Sequence, residues 1–256
     1  MNEHVSASSQ LSSMVMTKQT LILLPGWGLS STTLQPLAEL LARDLSVEIR
    51  ALPDFNQVDW LTQLEQELPD NCWLAGWSLG GMLATLLVSR QPERYAGLIT
   101  LGSNASFVAH TDWPHAMAAL TFSVFAKAVK HCPSMALKRF ISLCAQGDAQ
   151  HKQLAQRLLA LNENTKKPLS SEAAIAGLEV LVELDNRAPI TAYSGAQLHL
   201  LAEQDALVPS AVLKDMQQLN PLARVELMLG SHAFVLSDAQ QVAERMLDFI
   251  HETQHA

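Results

Sequence analysis

The stretch Gly76-Trp77-Ser78-Leu79-Gly80-Gly81 indicates the fold of this 256-residue chain more strongly than any other part of it. An apolar run at 72–77 precedes the serine, and apolar residues at helical spacing follow it over 79–89. In this context Gly-x-Ser-x-Gly forms a sharp strand-to-helix turn that lifts the serine hydroxyl above a sheet. The five-residue pattern also occurs by chance as a glycine-rich turn with an incidental serine, so it needs support from the rest of the chain.

Short apolar runs alternate with amphipathic segments on both sides of this turn. Buried strands are predicted at 21–24, 47–52, 72–77, 98–101, 198–202 and 225–229. Helices are predicted at 34–43, 60–68, 79–89, 210–219 and 238–250. Alternating strands and helices predict an α/β fold with a doubly wound, mostly parallel sheet that helices cover on both faces.

The alternation stops between residues 112 and 186, where the apolar spacing is helical throughout and prolines punctuate it. We therefore predict a helical cap at 112–186, inserted over the carboxyl edge of a core formed by 20–111 and 187–256. Residues 1–19 are predicted to be a weakly ordered tail without the basic and apolar regions of a secretory signal. Met1, Met14 and Met16 are the candidates for the translation start, and one sequence does not decide among them.

The composition is that of an ordinary globular protein, with 48% hydrophobic and 16% charged residues. Disordered, collagen-like and coiled-coil proteins have a stronger bias. With 17 Lys and Arg against 25 Asp and Glu, the net charge is −8, which disfavours binding to nucleic acid or to anionic membranes. Three cysteines without Cys-x-x-Cys spacing indicate no disulfide framework and no zinc site, and they fit a reducing cytoplasm.

A serine hydroxyl needs a general base and an orienting carboxylate to become a strong nucleophile. Asp205 and His232 each follow one of the last two predicted strands, so both should project from the same sheet edge as Ser78. The chain order Ser, Asp, His is one that this kind of strand-to-helix turn uses. Glu203 is a competing carboxylate, but it lies nearer the end of its strand.

The chain has 9 histidines, most of which we interpret as surface residues or satisfied side chains. His232 differs from the others because it occupies the loop after the last predicted strand. Two backbone amides are candidates for stabilising a developing oxyanion: that of Leu79, at the start of a helix, and that of Trp27, in the loop after the first strand. The indole of Trp27 is either a wall of the acyl pocket or a packing residue.

From residue 20 onward the chain resembles the α/β-hydrolase superfamily. The resemblance is closer to the pimeloyl-[acyl-carrier protein] methyl ester esterases of biotin biosynthesis. It rests on Leu24-Pro25-Gly26-Trp27-Gly28-Leu29, the Ser78 turn, Asp112-Trp113-Pro114, Leu137-Lys138-Arg139-Phe140 with Gln146-Gly147, and Gly177-Leu178-Glu179-Val180-Leu181. One departure is Pro25-Gly26, where the superfamily widely has His-Gly, so a side chain that often braces the oxyanion loop is missing.

The resemblance implies a cytoplasmic carboxylesterase without cofactor or metal, which releases methanol from the methyl ester of pimeloyl-acyl carrier protein. We also expect the protein to be a monomer. It also implies that Ser78, Asp205 and His232 are catalytic and that the Trp27 and Leu79 amides form the oxyanion hole. Substrate contacts are implied for Trp27, Ser78, Leu79, His232 and the segment Phe140, Ile141, Ser142, Leu143 and Cys144.

Basic residues concentrate in the predicted cap. Residues 127–167 contain eight Lys and Arg and two Asp and Glu, a net charge of +6 that leaves −14 for the remainder. This asymmetry suggests a docking surface for an acidic partner, and acyl carrier proteins are strongly acidic. We predict that Lys138, Arg139, Lys152 and Arg157 dock the carrier protein, although a merely solvated helix face would have the same charges.

Two further functions stay open on the sequence alone. One is a broad short-chain carboxylesterase, or a related hydrolase, that needs no carrier protein. The other is a non-catalytic scaffold that uses this fold for binding. An aligned serine, carboxylate and histidine argues against the scaffold, because binding alone does not require them.

Overall fold

The computed structural model describes residues 18–163 and 170–255. The start candidates Met1, Met14 and Met16, and the predicted tail up to residue 17, lie outside the described residues. So do the basic residues Lys166 and Lys167 of the predicted cap.

A single parallel sheet organises the described residues. Its strands are β1 (Thr20–Leu24), β2 (Ser46–Ile49), β3 (Trp73–Trp77), β4 (Gly97–Leu101), β5 (Gln197–Ala202) and β6 (Arg224–Met228). They lie in the order β2-β1-β3-β4-β5-β6, and every ladder is parallel. The predicted doubly wound α/β fold is confirmed, with strand ends within a few residues of those expected from the apolar runs.

Helices connect the strands in the predicted places. The helices before β4 are α1 (Gln35–Leu41), α2 (Trp60–Glu67) and α3 (Leu79–Arg90), and those after β5 are α9 (Val212–Leu219), α10 (Phe234–Ser237) and α11 (Ala239–Gln254). The connection from β1 to β2 moves across the sheet in one direction, and the connection from β3 to β4 moves in the other. Because both crossovers are right-handed, α1 and α3 lie on opposite faces of the sheet. Helix α11 packs against α1, which leaves both faces of the sheet covered.

The four inner strands are buried along almost their whole length, which explains their continuous apolar sequences. The outer strands β2 and β6 are partly exposed and carry charged residues. One inner strand also holds a titratable group, His199 in β5, which is fully buried. This polar side chain is satisfied by Thr100 Oγ1 at 2.7 Å and Gln197 Oε1 at 3.3 Å.

Between β4 and β5 the chain forms a four-helix segment that packs on the loops at the carboxyl edge. Its helices are α4 (Ala119–His131), α5 (Pro133–Ala145), α6 (His151–Glu163) and α7 (Ser171–Glu183). Helix formation starts at Ala119 rather than at the predicted residue 112. The preceding residues instead form isolated bridges, including His110 with Trp113, whose indole donates to Asn104 Oδ1 at 2.9 Å.

A short helix, α8 (Arg187–Ala192), leads from the four-helix segment back into the sheet. Its first residue, Arg187, pairs with Asp112 and Asp185 at 2.6 Å each. This cluster joins the chain entering the four-helix segment to the chain leaving it. None of the helices in the described ranges has both the length and the apolar character needed to cross a membrane.

Candidate active site

Ser78 lies between the end of β3 and the start of α3, in a backbone conformation that few non-glycine residues adopt. Its φ is 55° and its ψ is −119°. Such a conformation costs on the order of 1–3 kcal/mol and persists where the surroundings enforce it. The Ser78 amide donates to Leu101 O at 2.8 Å, and the Ser78 carbonyl accepts from Ser103 Oγ at 2.7 Å.

The glycines around Ser78 permit close approach of backbone segments. A Cβ atom at Gly76 would lie 2.1 Å from the carbonyl carbon of Gly80. One at Gly80 would lie 2.2 Å from the carbonyl oxygen of Leu24. Side chains at these positions would therefore force the turn open, and the sequence Gly-x-Ser-x-Gly has a steric reason here.

His232 and Asp205 form a buried pair after β6 and β5. His232 Nδ1 lies 2.7 Å from Asp205 Oδ2, and both side chains are shielded from solvent. The other carboxylate oxygen, Oδ1, accepts the amides of Leu207 at 2.8 Å and Val208 at 2.9 Å. An ionised carboxylate can only accept, so Nδ1 carries the proton and the lone pair of a neutral imidazole lies on Nε2.

Nε2 of His232 is buried and has no hydrogen-bond partner among the described residues. The backbone of His232 is held separately, because Trp77 Nε1 donates to the His232 main-chain carbonyl at 3.0 Å. A buried histidine with one nitrogen held by a carboxylate and the other free to take a proton is suited to general base chemistry.

The competing titratable groups are placed differently. Glu203 is exposed, and His232 pairs with Asp205 instead. Burial lowers the pKa of His199 to about 4, so this histidine stays neutral inside the sheet. His115 pairs with Asp215 at the surface, at 2.7 Å.

The loop after β1 borders Ser78. A Cβ atom added to Gly26 would lie 3.3 Å from Ser78 Cβ. The Leu29 amide donates to Gly26 O at 3.2 Å, closing a turn whose third residue, Gly28, has a φ of +70°, as a type II turn requires. The amide of Trp27 belongs to this turn, and Leu79 is the first residue of α3, where amides lack a carbonyl one turn earlier.

The Trp27 indole is buried against the four-helix segment. Its Nε1 donates to Ala174 O of α7 at 2.9 Å. Its ring makes edge contacts with Phe125 of α4 at 5.4 Å and Phe140 of α5 at 5.0 Å, measured between ring centroids. One side chain therefore joins the loop beside Ser78 to three helices.

The run of predicted substrate contacts in α5 does not share one face. Phe140, Ile141 and Cys144 are buried, Leu143 is half-buried and Ser142 is exposed. Consecutive helical residues point in different directions, which accounts for this division. Phe140 and Cys144 are one turn apart on the buried face, where Phe140 contacts Trp27 and the main-chain carbonyl of Cys144 accepts the Ala233 amide beside His232 at 2.9 Å.

The predicted docking residues lie on α5 and α6. Lys138, Arg139, Lys152 and Arg157 are exposed. Arg157 differs from the others because its Nη1 donates to Leu236 O of the core at 3.2 Å. Its guanidinium is therefore partly engaged within the chain.

In residues 18–163 and 170–255, no three His, Cys, Asp or Glu side chains are grouped so that they could hold a metal ion. Burial, followed by the charge of Asp205, raises the pKa of the Cys144 thiol well above its ordinary value, so this neighbour of the site stays protonated. Ser78 thus remains the nucleophile candidate at this edge, and its Oγ makes no hydrogen bond to His232 Nε2 in the structure.

Two contributors to the site were missed in the sequence. Ser103, which holds the Ser78 carbonyl, lies two residues after the end of β4 and could have been found by inspecting every residue at the carboxyl edge. Asn162 contacts the loop after β1 from a position more than 130 residues away. No local pattern marks such a contact.

A family model described as "alpha/beta hydrolase fold" matches residues 19–239. The chain is 39% identical over 249 residues to the biotin biosynthesis bifunctional protein BioHC of Cellvibrio japonicus, covering 91% of this chain and 48% of that protein. It is 32% identical to the pimeloyl-[acyl-carrier protein] methyl ester esterase of Aromatoleum aromaticum, covering 82% of this chain and 89% of the relative. For the protein of the same name from Aeromonas hydrophila, the identity is 30% and the coverage 90% and 94%.

The chain spans about half the length of the bifunctional relatives that it matches. Among solved structures, an enol-lactonase from Burkholderia xenovorans LB400 superposes with a TM-score of 0.77 at 15% identity, over 92% of both chains. A hydrolase from Oleispira antarctica gives 0.79 at 14% identity, over 91% of both chains. At this identity the solved structures support the fold. Together with the sequence relatives, they show that the chain belongs to the α/β-hydrolase family and, within it, to the family of the pimeloyl-[acyl-carrier protein] methyl ester esterases.

Proposed function

We propose that this chain is a serine carboxylesterase that hydrolyses the methyl ester of pimeloyl-[acyl-carrier protein] in biotin biosynthesis. The observation that carries the proposal is the buried Asp205–His232 pair, which lies at the same sheet edge as the strained Ser78 turn. The names of the relatives that the chain covers almost completely supply the substrate.

In the first half of the reaction, Ser78 Oγ attacks the ester carbonyl while His232 Nε2 takes its proton. Asp205 keeps Nδ1 protonated and stabilises the imidazolium that forms. The negative charge on the former carbonyl oxygen is held by the amides of Trp27 and Leu79. The tetrahedral intermediate then breaks its bond to the methoxy oxygen, which receives the proton from His232 and leaves as methanol.

In the second half, water replaces methanol. His232 Nε2 takes a proton from the water as it attacks the acyl-enzyme, and returns that proton to Ser78 Oγ as the second intermediate collapses. The products are the free carboxylic acid, still attached to its carrier, and the regenerated serine. All proton transfers use His232, and the reaction requires neither metal nor cofactor.

The carrier protein is the finer part of the proposal. The exposed bases Lys138, Arg139 and Lys152 lie on α5 and α6. The same two helices approach the Ser78 edge of the sheet through Phe140 and Asn162. We propose that an acidic carrier protein docks on this face, that residues 112–186 act as the cap, and that the enzyme works in the cytoplasm as a monomer.

The test compares the carrier-bound methyl ester with the same methyl ester in free form, using wild type and Ser78→Ala. We expect a higher kcat/KM for the carrier-bound ester, observed by mass spectrometry as conversion of the methyl ester to the acid. Loss of a serine nucleophile costs about a millionfold in a comparable triad, so Ser78→Ala should show no turnover above background. Circular dichroism provides the control for folding.

The alternatives predict different results. Equal kcat/KM values for both esters would favour a broad carboxylesterase without a carrier partner. Turnover by Ser78→Ala above about a hundredth of wild type would contradict the catalytic assignment, since an intact triad contributes far more than that. A wild-type protein that binds the ester without hydrolysing it would favour the scaffold.

A further inference from the structure

The loop beside Ser78 is held from the end of α6. The Asn162 side-chain oxygen accepts the Ser30 amide at 2.7 Å, and its side-chain nitrogen donates to the Gly28 carbonyl at 3.2 Å. The carboxamide of an asparagine supplies an acceptor and a donor side by side. Both ends of the Asn162 amide are therefore used on the same short stretch of backbone.

These two contacts lie directly against the turn that contains the Trp27 amide. Gly28 is the third residue of the turn Gly26–Leu29, and Ser30 follows its last residue. Holding the Gly28 carbonyl and the Ser30 amide fixes the orientation of this turn relative to α6. The turn has Pro25 at its entry, and proline has no amide hydrogen and no polar side chain with which to brace the loop itself.

We propose that Asn162 is a positioning residue for ester hydrolysis, which keeps the Trp27 amide aimed at the oxyanion above Ser78. The inference rests on the proposed function, because it gives that amide its role. Under this inference, a residue of the four-helix segment completes the oxyanion site. The site is therefore fully formed only when the part of α6 that contains Asn162 is packed against the loop after β1. Asn162 of α6 thus supplies the support for the loop that Pro25 cannot provide.

A simpler role for Asn162 would be to fasten α6 to the core. The neighbouring contact offers a matched control for that role, because Thr32 Oγ1 donates to the carbonyl of Leu161 at 2.6 Å. This bond also ties α6 to the chain after β1, but Thr32 lies outside the turn. Thr32→Val removes this bond and the contact of the same hydroxyl with Ser30 Oγ at 2.6 Å, with almost no change in shape, whereas Asn162→Ala removes the contacts to Gly28 and to the Ser30 amide.

The experiment measures kcat and KM for a short p-nitrophenyl ester with wild type, Asn162→Ala and Thr32→Val. Complete loss of an oxyanion donor lowers kcat about 100- to 1000-fold, so a misdirected donor should lower it about tenfold or more. We expect this loss in Asn162→Ala with KM within about twofold of wild type, since the ground state makes little use of that donor. Thr32→Val should keep kcat within about threefold.

Inhibition provides a readout that a structural role would not move. An alkylboronic acid forms a tetrahedral adduct with a serine nucleophile, whereas the carboxylate product of the test ester stays planar. For Asn162→Ala we expect the boronate inhibition constant to rise by about the same factor as kcat falls, while that of the carboxylate stays unchanged. Asn162→Asp, which can still accept from Ser30 but turns an acceptor oxygen toward the Gly28 carbonyl, should also lower kcat and covers the case of a poorly folded alanine variant.

The possible failures are distinguishable. Equal losses in Asn162→Ala and Thr32→Val would assign Asn162 to helix anchoring, and unchanged kcat in both Asn162 variants would likewise overturn the inference. In both cases wild type is active and the proposed function stands. Absence of hydrolysis by wild type, or its persistence in Ser78→Ala, would instead overturn the proposed function and the inference together.

Discussion

Asp205 uses its two carboxylate oxygens for two different tasks. One oxygen accepts two backbone amides and fixes the carboxylate in the loop after β5, and the other faces His232 Nδ1 at 2.7 Å. The backbone contacts prevent the carboxylate from turning away. The histidine is therefore held in the tautomer that leaves Nε2 able to accept a proton.

Replacing Asp205 by Asn should test this arrangement. An asparagine could present its NH₂ group to Nδ1, which would favour the tautomer with the proton on Nε2 and block proton transfer from Ser78. In a serine protease triad the equivalent change lowers kcat about ten-thousandfold. We expect a loss of that order in steady-state ester hydrolysis, with the fold retained by circular dichroism.

Glu203→Gln is the matched control for this change, since Glu203 is an exposed carboxylate two residues away. Its activity should stay within about twofold of wild type, as is usual for a surface substitution far from a packed network. A larger loss in Glu203→Gln than in Asp205→Asn would transfer the orienting role to Glu203.

How far the sequence predicts the site depends on the separation of the contacts. Ser78, Asp205 and His232 each follow a strand, so the rule that parallel strands end at one edge was enough to predict the edge at which all three lie and the contact between Asp205 and His232. Asn162 lies on α6, which does not directly follow a strand, so the sheet does not determine its place. Its contacts with Gly28 and Ser30 depend on how α6 packs. Such packing has no periodic signature in the sequence.

At the scale of elements, α7 approaches the loop after β1 closely because Gly177 has no side chain. A Cβ atom at Gly177 would lie 2.9 Å from Trp27 Cδ1 and 3.2 Å from Trp27 Nε1. The indole could evade it only by moving, and it is bounded by Phe125 and Phe140 on other helices. The packing of three helices thus converges on one side chain.

Gly177→Ala should therefore affect activity more than stability. Alanine favours a helix over glycine by about 1 kcal/mol, which partly offsets an overpacking cost of about 1–3 kcal/mol. Displacement of Trp27 should also shift its backbone amide, the proposed oxyanion donor, and we expect kcat for a short p-nitrophenyl ester to fall about tenfold, less than the roughly 100- to 1000-fold cost of losing such a donor completely. Denaturant unfolding and steady-state kinetics measure the two effects separately.

Glu179→Ala, on an exposed position of the same helix, controls for changes in helix stability alone. Its kinetics should match wild type. Full activity in Gly177→Ala would show that the indole can move without disturbing the site, and would remove the argument that couples α7 to the loop.

The elements themselves were predictable to different degrees for physical reasons. The inner strands are buried on both faces, so their apolar runs identify them almost to the residue. The short helix α8 contains Pro189 and spans 6 residues, too few for a helical period to be visible. Around Trp113 the apolar residues point to a helix, but the chain is held in bridges by side-chain contacts with Asn104 and Arg187.

At the scale of the whole molecule, charge is distributed unevenly. The chain has a net charge of −8, although residues 127–167 carry eight bases and two acids. Among the described residues of this stretch, Lys127, Lys130, Lys138, Arg139 and Lys152 are exposed. A basic face on an acidic protein attracts an acidic partner to one side and repels it from the others, which accelerates association in a productive orientation.

The proposed docking of an acidic carrier protein should make hydrolysis of the carrier-bound ester sensitive to salt. Screening acts over about 10 Å at 0.1 M ionic strength, so kcat/KM should fall as salt rises from about 20 to 300 mM. Arg139→Glu should lower kcat/KM several-fold at low salt and flatten the salt dependence. A small neutral ester reaches Ser78 without docking, so neither treatment should change its hydrolysis by more than about twofold.

Arg43→Glu is a matched charge reversal at the other edge of the sheet. Arg43 is exposed and follows α1, just before β2 begins, so it lies near the amino ends of the strands, away from Ser78. Arg43→Glu changes the net charge by the same amount as Arg139→Glu. If only the net charge mattered, the two variants would therefore have the same kcat/KM for the carrier-bound ester. A specific docking face requires the loss to be confined to Arg139→Glu and to the carrier-bound ester. If both esters lost activity equally in Arg139→Glu, the substitution would have damaged the helices around the site, and the basic face would be a solvated surface on an esterase that acts without a carrier.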